Sequence, residues 1–108
     1  MNYVLSTAAL VLGAALVSPA SAQGTVPTLA RNLAAACASC HGTNGASQEG
    51  MPVLAGREKG LLAQQMQDFK SGKRPATVMH QIARGYSDEQ VEALAVYFAA
   101  QNPEGRRQ

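Results

Sequence analysis

The chain has 108 residues, with nine Lys and Arg against seven Asp and Glu for a formal charge of +2. So slight a basic surplus, with no tryptophan and only five aromatic residues (three Tyr, two Phe), argues against a nucleic-acid surface, which needs clustered cations and stacking rings. The length allows one small domain, of a size that often needs a covalent or metal staple to hold a thin core together.

The first element is a leader. Val4 to Val17 form an apolar run broken only by Ser6, Thr7 and Gly13, and Ala20-Ser21-Ala22 is an A-x-A cleavage site. The preceding Met1-Asn2-Tyr3 lacks the usual Lys or Arg, but the apolar run is too short to span a bilayer comfortably. The expectation is a signal peptide over residues 1–22 and a single domain over residues 23–108, exported to the periplasm, with no membrane span after leader cleavage.

Pro27-Thr28 opens the first helical pattern, with Thr28 as N-cap and Leu29, Leu33 and Ala36 on one face. The alanines that follow favour helix and are small enough to lie against another helix or a flat cofactor edge. They lead into Cys37-Ala38-Ser39-Cys40-His41, which holds the only cysteines of the chain. Two thiols three positions apart on one helical turn are placed to form thioethers with two porphyrin vinyl groups, and the adjacent imidazole falls beneath the iron. This C-x-x-C-H pattern is that of haem c attachment, here one covalent haem. Competing uses fit less well. A Cys37–Cys40 disulfide would close too small a ring to staple much, a thioredoxin-like pair needs a preceding strand, and a zinc site would have only His80 as a further ligand.

Residues 42–50 are polar and turn-rich and read as loop, and Met51 to Gly56 continue irregularly. A second helix is expected from Glu58 to Ser71, with Leu61, Leu62, Met66 and Phe69 on its apolar side and Gly72 as its stop. Lys70, Lys73 and Arg74 gather at its end, where the helix dipole favours cations. Pro75 blocks continuation, and residues 76–85 read as a loop running into a short helix that Gly85 stops. Ser87 and Gln90 form a capping box for the last helix, whose stripe is Val91, Leu94, Ala95 and Phe98, with Pro103 and Gly105 beyond it. No segment reads as a strand. The fold class is all-α, with three to four main helices wrapped around one covalently bound haem.

With His41 on one face of the iron, the opposite face needs a ligand. A methionine there makes a closed electron-transfer centre, because a thioether favours ferrous iron and raises the reduction potential. Met66 falls at core spacing between Leu62 and Phe69, and Met51 follows the motif too soon to reach the far side. Met79, on a late and separate segment, is the leading candidate, with His80 and Met51 as alternatives. The ligating histidine normally gives its other ring N–H to a carbonyl, for which Pro52 is the candidate. Arg57, Arg74 and Tyr86 are candidate contacts for the haem propionates.

Six stretches resemble the class I c-type cytochromes, and more closely the cytochrome c4-like group and the cytochrome subunit of flavocytochrome c sulfide dehydrogenase. They are Cys37 through Gly45, Pro52 through Gly56, Asp68 through Gly72, Thr77 through Met79, Ile82 through Gln90, and Tyr97-Phe98. The resemblance implies that Met79 is the distal ligand, that Pro52 supports His41, and that the first and last helices cross. It also implies a periplasmic carrier of single electrons, not an enzyme on its own. The carrier would accept electrons from a sulfide-oxidising flavoprotein and pass them to a downstream acceptor. A freely diffusing carrier serving a terminal oxidase or reductase is the alternative, and a haem enzyme with an open distal site is a third. Two features depart from the family: one C-x-x-C-H motif stands where two-haem members carry two, and His80 stands where a small residue usually follows the methionine.

Overall fold

The computed structural model describes residues 25–48 and 50–104, so the expected leader and Gly105 lie outside the described residues. Among the described residues there are five α-helices and no strand: α1 (Val26–Ala35), α2 (Ala38–His41), α3 (Lys59–Ser71), α4 (Met79–Ala83) and α5 (Asp88–Ala99), with a 3-10 turn at Thr43–Gly45. The long helices α1, α3 and α5 build the frame. α1 packs across α5, and α3 packs against both α4 and α5.

α1 starts earlier than its sequence pattern suggests. Thr25, not Thr28, holds the N-cap position, and Pro27 sits inside the first turn, where its missing N–H leaves no bond unmade. The hydroxyl of Thr28 instead meets that of Thr25 at 3.1 Å. The buried face also differs from the expected one. Ala30 and Ala34 are buried, whereas Leu29 is 47 % exposed and Ala36 is exposed. Alanines on this stripe let α5 come close, and that close crossing turns the longer Leu29 outward; of the expected face only Leu33 packs on the core.

The other two long helices begin and end as their residues dictate. Glu58 caps α3, its carboxylate accepting from the N–H groups of Gly60 and Leu61, each at 2.8 Å. Gly72 ends the helix with a left-handed φ of 79°, which glycine adopts without steric cost. At α5, Ser87 Oγ accepts from Gln90 N at 3.2 Å while Gln90 Oε1 accepts from Ser87 N at 2.9 Å. That reciprocal pair satisfies two otherwise open helix donors. The expected stripe of α5 is buried in full: Val91, Leu94, Ala95 and Phe98.

The core consists of Ala34, Leu62, Leu94, Ala95 and Phe98, and Cys37, Leu54, Tyr86 and Tyr97 are among the side chains packed against it. The helices thus bring the first cysteine of the motif to the edge of the core. Met66, expected in the core, is half-buried. Lys70 joins α3 to the start of α5, donating to the Tyr86 carbonyl at 2.7 Å and to Asp88 at 3.2 Å. Gln67 donates to the same carboxylate at 2.8 Å. These bonds tie α3 to the residues that lead from α4 into α5.

Candidate haem-binding site

The motif forms a single turn. His41 N–H donates to the Cys37 carbonyl at 2.8 Å and Cys40 N–H to the same oxygen at 3.3 Å, so both sulfurs lie within one helical turn. Cys37 is half-buried and Cys40 exposed, and both are free thiols. Burial pushes the Cys37 thiol above its ordinary pKa, the opposite of the lowered thiol that a nucleophilic C-x-x-C pair requires. The thiol therefore stays protonated and is held in an apolar setting.

His41 is 8 % exposed, and its Nδ1 lies 2.8 Å from the Pro52 carbonyl oxygen. A carbonyl only accepts, so Nδ1 carries a proton, and in the neutral ring the lone pair falls on Nε2. This neutral tautomer, held through its far nitrogen, is the form that binds a metal.

Several residues that hold this carbonyl escaped the sequence reading. Ser47 Oγ donates to the Met51 carbonyl at 2.6 Å, one residue before Pro52. The Gly45 carbonyl accepts from Leu54 and Ala55 N–H at 2.9 and 3.1 Å, and Gly56 N–H donates to the Phe98 carbonyl at 2.9 Å. Gly45 has φ +77°, and a Cβ there would lie 2.7 Å from the Phe98 ring and 2.8 Å from Leu54. Only glycine allows so close an approach. Tyr97 donates its hydroxyl to Asn44 Oδ1 at 2.7 Å, and Asn44 itself has a left-handed φ of 55°. The sequence signals turns at these positions, but not that α5 grips them.

Met79 is the first residue of α4 rather than a loop residue, and both Met79 and His80 are half-buried. The Nδ1 atom of His80 is buried and has no hydrogen-bond partner among the described residues. Val78 and Ile82, on either side of Met79, are exposed, as are Met51 and Leu61. Arg57 donates its Nε to the Val53 carbonyl at 3.2 Å. The guanidinium of Arg74 lies over the Phe69 ring, 5.3 Å from its centroid. Tyr86 packs on the core, and burial, followed by the nearby Cys37, raises its phenol pKa.

No group of three or more His, Cys, Asp and Glu gathers among the described residues, so the metal chemistry available at the motif is one imidazole beside two thiols. That donor set suits a metal arriving inside its own macrocycle better than a bare ion, which needs about four protein ligands. The chain fits a haem held by Cys37, Cys40 and His41, with its flat apolar surface offered to uncovered side chains.

Comparison with known proteins places the chain among haem-binding cytochromes. Residues 24–98 match the family described as cytochrome c oxidase, cbb3-type, subunit III. The cytochrome subunit of sulfide dehydrogenase from Chlorobaculum tepidum is 39 % identical over 66 residues, which are 61 % of this chain and 60 % of that protein. The two are therefore of nearly equal length. A cytochrome c4 from Pseudomonas aeruginosa is 37 % identical over 94 % of this chain and 49 % of its own. A thiosulfate dehydrogenase electron acceptor from Stutzerimonas stutzeri is 42 % identical over 62 % of this chain and 32 % of its own. The chain thus spans less than two thirds of each of these relatives. A solved cytochrome c4 structure from Acidithiobacillus ferrooxidans superposes with a TM-score of 0.58 at 37 % identity, covering 60 % of this chain and 38 % of that one.

Proposed function

Because the chain belongs to the c-type cytochrome family, with its class I fold, covalent haem c and electron-carrying role, we propose that it is a periplasmic carrier accepting single electrons from a sulfide-oxidising flavoprotein. The observation that carries the site assignment is the 2.8 Å bond from His41 Nδ1 to the Pro52 carbonyl, which leaves Nε2 as the free donor. Bound haem supplies an Fe(III)/Fe(II) couple. Cys37 and Cys40 would anchor it through thioethers, and His41 Nε2 would bind the iron. Pro52 keeps the imidazole aligned and electron-rich. Met79 would supply the second ligand, a thioether that favours the ferrous state. The site would then serve as a relay for single electrons.

The sulfide-oxidising partner is supported by the relative from Chlorobaculum tepidum, of nearly equal length. The leader-like residues 1–22 support export. The cytochrome c4 relative, matched over 94 % of this chain, favours a second reading, a freely diffusing carrier with several partners.

Met79 ligation predicts a weak near-infrared sulfur-to-iron band in the ferric protein. The band should vanish in Met79→Ala and persist in Met51→Ala. A wild-type protein without it would overturn the assignment. The partner is tested by stopped-flow reduction with a purified flavoprotein sulfide dehydrogenase: reduction no faster than by free flavin would remove the subunit reading and leave the diffusing carrier.

A further inference from the structure

His80 has no part in the site as described, yet it lies beside the distal methionine with a buried ring nitrogen that bonds to nothing among the described residues. We propose that His80 is a reserve axial ligand, which takes the iron when the sulfur of Met79 leaves it. The proposal rests on the Met79 reading above.

Successive helical residues point about 100° apart, so Met79 and His80 cannot face the same point together. Exposure separates their two stripes. Ile82, one turn on from Met79, is 43 % exposed, whereas Ala83, one turn on from His80, is 0 % exposed. Met79 therefore looks to the open side while His80 is tucked toward the packed side. Exchange requires a rotation of α4 of about one residue step. Three features make that rotation easy. α4 has five residues and no side-chain cap at Val78, so no side-chain bond ties its first turn. Met79 and His80 are adjacent, so their Cα atoms lie only about 3.8 Å apart. His80 Nδ1 has no partner to give up, and a buried polar group left unpaired is destabilising where it stands. Swinging outward relieves that cost.

The bonding change is a simple exchange: the thioether sulfur leaves the iron and an imidazole nitrogen of His80 replaces it, with no electron transferred. The consequence is protective. With His80 in place the iron stays six-coordinate and closed to small ligands, and the potential falls because imidazole lacks the ferrous preference of a thioether.

The test uses the full holoprotein in three forms. Met79→Ala should lose the sulfur-to-iron band yet remain low-spin and bind carbon monoxide slowly. Met79→Ala/His80→Gln should become high-spin and bind carbon monoxide at once. A Met79→Ala protein that is high-spin and open overturns the proposal, as does a double variant that stays low-spin, since another residue then supplies the ligand. If the Met79 substitutions fold poorly, the same comparison runs on the wild type and His80→Gln in mild guanidinium. There, loss of the sulfur band should leave the wild type low-spin and the variant high-spin, and identical spectra would sink the idea. A wild type without a sulfur band would instead refute the Met79 reading, so the two failures are distinguishable.

Discussion

At the scale of single residues, the site depends on how firmly one carbonyl is held. His41 shares its Nδ1 proton with Pro52 at 2.8 Å, and that bond sets how much electron density the ring gives to a metal. Pro52 has no N–H to anchor it, so its position is set by its neighbours. Ser47 bonds the carbonyl of the adjoining Met51 at 2.6 Å, while Leu54 and Ala55 fasten the other side to Gly45. Ser47→Ala should loosen one side only. The imidazole then donates less, ferric iron is less favoured, and the reduction potential should rise while the sulfur-to-iron band persists. Ser47→Thr keeps the hydroxyl and should restore the wild-type value. Equal potentials in wild type and Ser47→Ala, measured by redox titration, would show that the backbone bonds to Gly45 suffice alone.

At the scale of elements, two helix starts carry carboxylates whose pKa values are displaced. The N–H groups of Gly60 and Leu61 hold the Glu58 carboxyl below its ordinary value of 4.5. Hydrogen bonds from Gln67 and Lys70, with the Lys70 charge, do the same for Asp88 against 3.8. Both values are lower in the folded chain than in the unfolded one. Their stabilisation is therefore complete above the unfolded values and lost as the pH falls through the folded ones. The wild-type Tm should drop between roughly pH 5 and pH 2, and Glu58→Gln/Asp88→Asn should show a shallower drop from a lower starting Tm. Because both carboxyls are exposed, 1 M salt should narrow the difference. Parallel Tm–pH curves would rule out this source of acid sensitivity. The same elements show what was legible in the sequence. The Ser87–Gln90 box and the α5 stripe were readable because capping and 3.6-residue periodicity are local properties. The α1 face was misread because a close helix crossing, which is a tertiary event, preferred alanine to leucine. Ser47, Asn44 and Tyr97 were illegible for a related reason: Tyr97 reaches Asn44 across 53 positions, and no spacing rule covers that.

At the scale of the whole molecule, the protein core is too slight to account for the fold. Of the nine buried apolar residues among the described ones, five are alanine, and Val91 is the largest of them that is essentially fully buried. Alanines bury little area each, and at about 25 cal/mol per Å² they offset little of the entropy lost on folding. Meanwhile Met51, Leu61, Val78 and Ile82 are exposed, as are Val26, Leu29 and Val96, so apolar surface is left uncovered by the helices. Cys37 joins the core at one edge, so a haem tethered there would add its apolar surface to that core. The tether also closes a covalent link on a site that otherwise rests on one buried imidazole. Cys37→Ala/Cys40→Ala, expressed from the full 108-residue sequence, should therefore lose cooperative folding. Far-UV circular dichroism should show reduced helix and a broad thermal transition without a clear midpoint, as in compact states that lack fixed packing. On the proposed ligation, non-covalent haem added to that variant should recover part of the helix through His41 and Met79, since neither ligand needs the thioethers. His41→Ala in the same background should abolish that recovery. If the double-cysteine variant melts as sharply as the holoprotein in the absence of haem, the helices stand on their own packing, and the haem is cargo rather than core.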